Sequence, residues 1–433
     1  MIVLVLGSGG REHALVWELA RDASVDEVHV APGNPGMECV AQRHAIDPAD
    51  PASVVALAAH LNADLVIIGP EAPLVAGVAD ALRAAGRAVF GPNADGAELE
   101  GSKAFMKDVL VGAGVPTARH ETFRVGVGDT LVTELARADT FLQTLPGLYV
   151  IKTDGLAAGK GVIVTESLAE ARTAVRAYLD GSAFGDAGRT CVIEEGMTGP
   201  ECSLLVLCDG QRALPLAPAQ DFKRIFDGDR GPNTGGMGAY SPLPFIDDAL
   251  IASMMEDAVV PTIAELRRRG IDYRGVLYAG LMLTPEGPKM LEYNVRFGDP
   301  ECQVIVPRLT SSLATHCMEV AQGALTTTPK FSEAAGVTVV LASRGYPATS
   351  SSGDVIAGLN AAGSLDDSEA IVFHAGTDRT EAGEWVTAGG RVLTVTALGP
   401  DLRIARDTTY AALDQITFDG KQCRLDIAAE HIS

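Results

Sequence analysis

The sequence predicts an α/β and α+β chain of several domains. A parallel α/β domain comes first, a larger central domain follows, and a small mixed β domain closes the chain. Three observations predict it. Strand and helix patterns alternate over residues 1–90, and the 47 glycines cluster at strand ends rather than spreading evenly. The 433 residues, at roughly 150 per domain, allow about three domains, and a 47% hydrophobic content can give each a core.

In the first segment Ile2–Leu6 is a short β-branched run, followed by Gly7–Gly10 and a helical pattern through Arg21. Strands are expected at Val28–Ala31, Leu65–Ile68 and Ala88–Phe90, and helices at Ser53–Leu61 and Val75–Ala85. Continuously apolar strands alternating with helices imply a parallel sheet covered on both faces. The turns Gly7-Ser8-Gly9-Gly10, Pro32-Gly33-Asn34, Gly69-Pro70-Glu71 and Gly91-Pro92-Asn93 follow these strands. They gather at the carboxyl ends, where open parallel sheets bind ligands.

From Ser102 a helix leads to strands at Tyr149–Lys152, Val162–Val164 and Cys191–Glu194, with a helix over Leu168–Leu179. Strands Ser203–Leu207 and Ala213–Leu216 precede a long loop, Gln220–Pro244. One helix is expected over Asp247–Arg269, then a hairpin of Gly275–Leu283 and Lys289–Asn294. Short strands at Val337–Ala342, Ala370–Phe373 and Arg391–Ala397 and a helix near Leu402–Asp414 complete the chain.

Composition excludes several classes. With 34 Lys+Arg against 56 Asp+Glu the net charge is −22, the wrong sign for a nucleic-acid binder. A phosphate-bearing ligand must therefore be small and held by a few local cations and N–H groups. The seven cysteines show no paired spacing, which predicts reduced thiols in a cytoplasmic protein. No apolar run approaches the roughly 18 residues of a membrane span, and no targeting segment opens the chain.

Glu292-Tyr293-Asn294-Val295-Arg296 is the sharpest constellation. Residues two apart on a strand share a face, so Glu292, Asn294 and Arg296 project together. A carboxylate beside an amide oxygen suits Mg²⁺, and a cation one step on can neutralise a transferring phosphoryl group. Lys152, inward-pointing on a buried strand, needs an anion to offset its desolvation. A Lys snorkelling to the surface is the other reading. Asp154–Gly161 is Gly-rich with one Gly-Lys pair, but it runs into a strand and lacks the Ser/Thr of a P-loop.

The Gly7–Glu12 turn can bind an anion at a helix N-terminus or serve as a plain strand–helix connection. It lacks the third glycine and the ribose acid of a dinucleotide fold, which argues against a nicotinamide-dependent oxidoreductase. Asp221–Gly238 carries five glycines among six charges and reads either as a solvated loop or as a substrate clamp. Glu194-Glu195 reads as a nucleotide hinge or a surface turn. No G-x-S-x-G elbow or other covalent nucleophile is evident.

Together the motifs GSGGREHAL, APGNPG, GPEAPLVAGVAD, GPNADGAELEGSKAFMKD, IKTDGLAAGKGV, GPNTGGMGAYSP, EYNVRFGDPECQ and GGRVLTVTALG resemble the phosphoribosylamine–glycine ligases, from Met1 to about Ala397. GPNTGGMGAYSP and RFGDPE are specific to that family, whereas GKGV marks only the wider ATP-grasp superfamily. The resemblance implies a pre-ATP-grasp domain over 1–101, a two-lobed ATP-grasp domain over 102–328 with a flexible lobe about 120–195, and a C-terminal domain over 329–433. It implies ligation of glycine to 5-phosphoribosylamine at the expense of ATP in purine biosynthesis, with Mg²⁺ or Mn²⁺ as cofactor. The expected partners are these small molecules alone, with no nucleic acid or membrane, and the expected assembly is a monomer. A carboxylase or formyl transferase of the same superfamily is the alternative.

By matching motif, Glu292 and Asn294 would hold the metal. Lys103, Lys152 and Gly159-Lys160-Gly161 would contact phosphates. Glu194, Glu195 and Met197 would line the adenine pocket, with Glu201 on the ribose. Gly9, Gly10, Arg11, Glu12, Asn34 and Glu71 would face phosphoribosylamine. Asp221, Asn233, Thr234, Gly235, Gly236, Met237, Gly238, Arg296 and Asp299 would surround the reacting glycine, with Arg296, Asp299 and Asp221 catalytic. Phe222 stands where the family more often has His, Thr153 where Ala is usual, and Arg230 where Thr is common. Altered substrate affinity with preserved chemistry is the expectation.

Overall fold

The computed structural model describes residues 1–126, 130–155, 161–183, 185 and 189–431. Gly159 and Lys160, expected at the phosphates, lie outside the described residues.

The first segment forms a five-stranded parallel sheet in the order Gln42–Arg43, Glu27–Pro32, Ile2–Gly7, Leu65–Ile68, Ala88–Phe90. Leu4 and Leu6 point into one hydrophobic core while Val3 and Val5 point into another, all fully buried. That is the two-sided cover which continuous apolar strands require. The helix expected over Val75–Ala85 is two, Glu71–Val75 and Val78–Ala84. Gly77 separates them at φ +79°, a left-handed conformation incompatible with a continuing helix.

Residues beyond Ser102 form two layered units. Ser102 caps the helix Lys103–Ala113 by accepting from Phe105 N, and a preceding helix, Ala94–Gly101, has no counterpart in the sequence reading. An antiparallel sheet in the order His120–Arg124, Thr190–Glu195, Tyr149–Thr153, Val162–Thr165 packs under helices Leu131–Leu142 and Leu168–Leu179. Phe123, Ile151, Tyr178 and Ile193 build a core there separate from the rest. A second antiparallel sheet runs Ala213–Pro215, Glu201–Asp209, Arg274–Thr284, Gly287–Asn294.

The segment expected as one loop, Gln220–Pro244, holds four short strands: Gln220–Asp221, Arg224–Phe226, Arg230–Asn233 and Gly238–Ser241. The first and last belong to the C-terminal sheet, ordered Gln220–Asp221, Gly238–Ser241, Ala335–Ala342, Arg391–Gly399, Ile371–His374. Gln220–Asp221 pairs with Gly238–Ser241, but Gly238–Ser241 joins that sheet through Gly336–Val339, more than ninety residues on, which no local pattern announces. The helix expected over Asp247–Arg269 is interrupted by a π turn at Met255–Val259. Pro261 next to that turn lacks the N–H an α-helix would use, and the wider turn accommodates it. A further three-stranded sheet of Ser352–Val355, Trp385–Ala388 and Thr377–Arg379 completes the C-terminal part.

Candidate active site

The sheets converge on a cleft of about 1540 Å³, walled by the turns after the parallel strands, by Gly287–Asn294, and by the 220–241 segment. Glu292, Asn294 and Arg296 all face it. Glu292 sits opposite Gly280 on the neighbouring strand, where a Cβ would stand 3.4 Å from Glu292 Cγ. Among the described residues the Glu292 carboxylate has no hydrogen-bond or ion-pair partner. Burial alone would raise its pKa, but Lys223, Lys152, Lys103 and Arg296 together hold it below the ordinary value. Asn294 Oδ1 accepts from Arg296 Nη2 at 3.3 Å.

Arg296 is itself held from the N-terminal side. Its Nη2 lies 3.0 Å from Glu100 Oε1 and its Nε 3.4 Å from Glu71 Oε2. Glu100, at the end of the helix Ala94–Gly101, also accepts from Val295 N at 2.8 Å. Arg296 Nε is buried without a hydrogen bond.

Lys152 is paired within the fold. Glu194, two registers along the adjacent strand, puts Oε1 3.0 Å from Lys152 Nζ and Oε2 3.1 Å from Lys107 Nζ. Thus the anion that a buried Lys152 requires is a carboxylate of the protein. Burial would raise the Glu194 pKa, but Lys152 and Lys107 keep it low. Lys103, at the helix N-terminus, reaches Gly155 O at 3.4 Å. Its pKa falls because it is desolvated, with Glu292 offsetting part of the fall. Gly161, Glu195, Met197 and Glu201 also line the cleft.

Asp221 faces the same space and is pushed up to about 7 by burial, with Lys223 opposing and Glu301, Glu201 and Glu292 adding to the rise. Lys223 Nζ sits 2.6 Å from Glu201 and 3.8 Å from Asp221. Glu301 is buried, accepting from Tyr278 Oη at 2.5 Å and Ser203 Oγ at 3.1 Å. Asp299 accepts from Gln303 Nε2 at 2.6 Å and Arg391 Nη2 at 2.8 Å.

Other expected substrate residues divide. Gly9, Arg11, Glu12, Glu71, Asn233, Thr234 and Gly235 line the cleft. Arg11 and Glu12 are nevertheless buried and paired, Nε to Oε1 at 2.5 Å, and Glu12 Oε2 accepts from Gly9 N at 2.7 Å. Gly10, Gly236, Met237 and Gly238 do not line it; Met237 is fully buried against Ile225 and Ala342. Asn34 lines a smaller neighbouring cavity of about 440 Å³. It acts as a bolt between the ends of the chain, donating to Ser8 O at 2.9 Å and His374 O at 2.8 Å.

Phe222 lies under the Arg424 guanidinium, 4.7 Å from ring centre to Cζ, and Arg424 also pairs with Asp229 at 2.6 Å and Asp426 at 2.7 Å. Arg230, by contrast, is exposed and donates to Asp227 O. Lys107, Lys223, Glu100, Glu301 and Arg391 were not singled out from sequence. Only Lys223 carried a local signal, its period-two spacing from Asp221.

No group of three or more His, Cys, Asp or Glu arranged for a metal occurs among the described residues. The donors present, the Glu292 carboxylate and the Asn294 amide oxygen, suit a hard cation completed by water and phosphate oxygens.

Comparison with known proteins agrees with this architecture. Family models described as phosphoribosylglycinamide synthetase match in three parts: the N domain over residues 1–100, the ATP-grasp (A) domain over 101–302, and the C domain over 336–430. The phosphoribosylamine–glycine ligase of Streptomyces coelicolor is 50% identical over 432 residues, covering 99% of both chains. That of Salmonella typhimurium is 47% identical over 432 residues, covering 99% of this chain and 98% of its own. The crystal structure of the Thermotoga maritima phosphoribosylamine–glycine ligase superposes with a TM-score of 0.85 at 33% identity, over 99% of this chain and 100% of that one. A biotin carboxylase domain from Hydrogenobacter thermophilus, at 16% identity and a TM-score of 0.71 over 99% and 97% of the two chains, shares the fold. The chain belongs to the phosphoribosylamine–glycine ligase family and is an ATP-dependent ligase of the ATP-grasp fold.

Proposed function

We propose that the protein joins glycine to 5-phospho-D-ribosylamine, forming glycinamide ribonucleotide, ADP and phosphate in de novo purine synthesis. The observation that carries this reading is the convergence of Lys103, Lys152, Lys223 and Arg296 on Glu292, which has no partner among the described residues, in a cleft of about 1540 Å³. Four cations around one carboxylate suit a polyanionic triphosphate, and full-length relatives at 47–50% identity bear the ligase name.

Glu292 and Asn294 would hold Mg²⁺ or Mn²⁺, which when bound neutralises phosphate charge. Lys103 and Lys152 would contact the phosphates. Glu195, Met197 and Glu201 would take the adenosine, with Glu194 fixing the two lysines behind it. Glycine's carboxylate would attack the γ-phosphorus to give glycyl phosphate, with Arg296 stabilising charge on the transferring group. The amine of phosphoribosylamine would then attack the acyl carbon and expel phosphate. Asp221 or Asp299 would receive a proton from that amine. No protein nucleophile is needed, only positioning and charge. We further propose a monomeric, cytoplasmic enzyme that binds neither nucleic acid nor membrane. The −22 charge and unpaired cysteine spacing support this, and no described helix is long and apolar enough to cross a membrane.

Glycine labelled with ¹⁸O in its carboxylate tests the route. Transfer of one label into the released phosphate is expected, and unlabelled phosphate would exclude glycyl phosphate.

A further inference from the structure

The 220–241 segment meets the reacting-site turn at one charged residue from the C-terminal sheet. Arg391 Nη1 donates to Gly235 O at 2.8 Å and to Asp299 O at 2.7 Å, while Nη2 donates to Asp299 Oδ2 at 2.8 Å. Its guanidinium lies flat against Gly235, where an added Cβ would stand 3.1 Å from Cζ. The next residue, Gly236, has φ +112° and leaves only 2.4 Å between a built Cβ and Pro300 Cδ. The tip of the segment and the Asp299–Pro300 turn are therefore in direct contact, with no slack between them. Tyr346 Oη accepts from Gly235 N at 3.0 Å on the other side.

Arg391 opens the strand Arg391–Gly399, whose following residues Val392, Leu393 and Val395 are fully buried. The fork thus projects from a rigid base rather than from a loop. Its side chain is 22% exposed and forms part of the wall shared by the main cleft and the 440 Å³ cavity. None of the roles read from sequence fell on it.

We propose that Arg391 is a positioning residue for the ligation step, a bracket that sets the clamp tip at Gly235 and the Asp299 carboxylate in one fixed geometry. A planar fork can hold two carbonyls and a carboxylate at once, and a lysine ammonium cannot reproduce that planar arrangement. The C-terminal sheet thereby becomes part of the reacting site. This rests on the ligase reading given above.

The test uses the full-length protein and the variants Arg391→Lys and Arg391→Gln. Hydrogen exchange is followed in peptides covering 233–238 and 335–342, alongside steady-state kinetics for all three substrates. Both variants should exchange faster over 233–238 and keep wild-type exchange over 335–342. Their kcat/KM for glycine and phosphoribosylamine should fall at least about tenfold, with the KM for ATP changed less than about twofold. Unchanged exchange over 233–238, or a rise of about tenfold in the KM for ATP, would overturn the bracket. If Arg391→Lys alone restores both readouts to wild type, charge rather than the fork is what matters and the proposal also fails. Absence of glycine-dependent turnover in the wild-type protein would instead overturn the ligase reading, and the exchange arm would still decide whether Arg391 holds the clamp.

Discussion

The Lys152 ammonium lies 3.0 Å from the Glu194 carboxylate across two antiparallel strands, and both side chains are almost fully buried. Glu194 also holds Lys107 at 3.1 Å, so one carboxylate separates two desolvated cations. Glu194→Gln leaves those cations facing each other, and a destabilisation of about 3–5 kcal/mol is expected in urea unfolding at pH 7. Because the Glu194 pKa is held below its usual value, this stabilisation is present above about pH 4.5 and lost as pH falls through the lower folded-state value. The gap between wild type and variant should therefore narrow under acid conditions. A gap that widens in acid would contradict the pairing.

Lys107 predicts a trend at the other end of the scale. Burial, partly offset by Glu194, brings it down from 10.5 to about 8. Between those values the unfolded chain binds the proton and the native chain does not, so this group's contribution to stability rises with pH. Urea unfolding at pH 7.5 and 9.5 should show wild type gaining on Lys107→Met as pH increases. A constant difference would mean that Lys107 stays charged in the native state.

Glu292→Gln should lower ATP-dependent turnover by a factor on the order of 10² or more, comparable to removing a group aimed at developing charge. Among the described residues the carboxylate makes no hydrogen bond or ion pair, so the melting temperature should move little. Near-normal turnover, or loss explained by unfolding, would remove Glu292 from the proposed metal site.

Arg296→Lys should reduce kcat more than it weakens ATP binding. The guanidinium reaches Glu100, Glu71 and Asn294 from one planar group, and an ammonium cannot span all three. Equal losses in kcat and ATP affinity, from steady-state kinetics and equilibrium titration, would assign Arg296 to ground-state binding.

Much of this architecture was legible because its signals are local. The strand Leu65–Ile68 and the helix Leu168–Leu179 have the bounds their apolar patterning indicates. The face shared by Glu292 and Asn294 follows from strand periodicity; Arg296 lies two residues past the strand's end at Asn294 and lines the cleft from there. What escaped the sequence depends on distant partners. Gly238–Ser241 enters the C-terminal sheet because Gly336–Val339 lies beside it, and Arg391 matters because it reaches Gly235 and Asp299. The Glu194 partner of Lys152 is announced by nothing in its own neighbourhood. The buried pairing of Arg11 with Glu12 at the cleft wall is likewise invisible in the local pattern.

ADP release from Mg-ATP, measured with glycine and with phosphoribosylamine generated in place, tests the central claim most directly. The account predicts release only when both are present, with glycinamide ribonucleotide formed in equal amount. Release that ignores glycine, or that responds to bicarbonate or formate in its place, would contradict it.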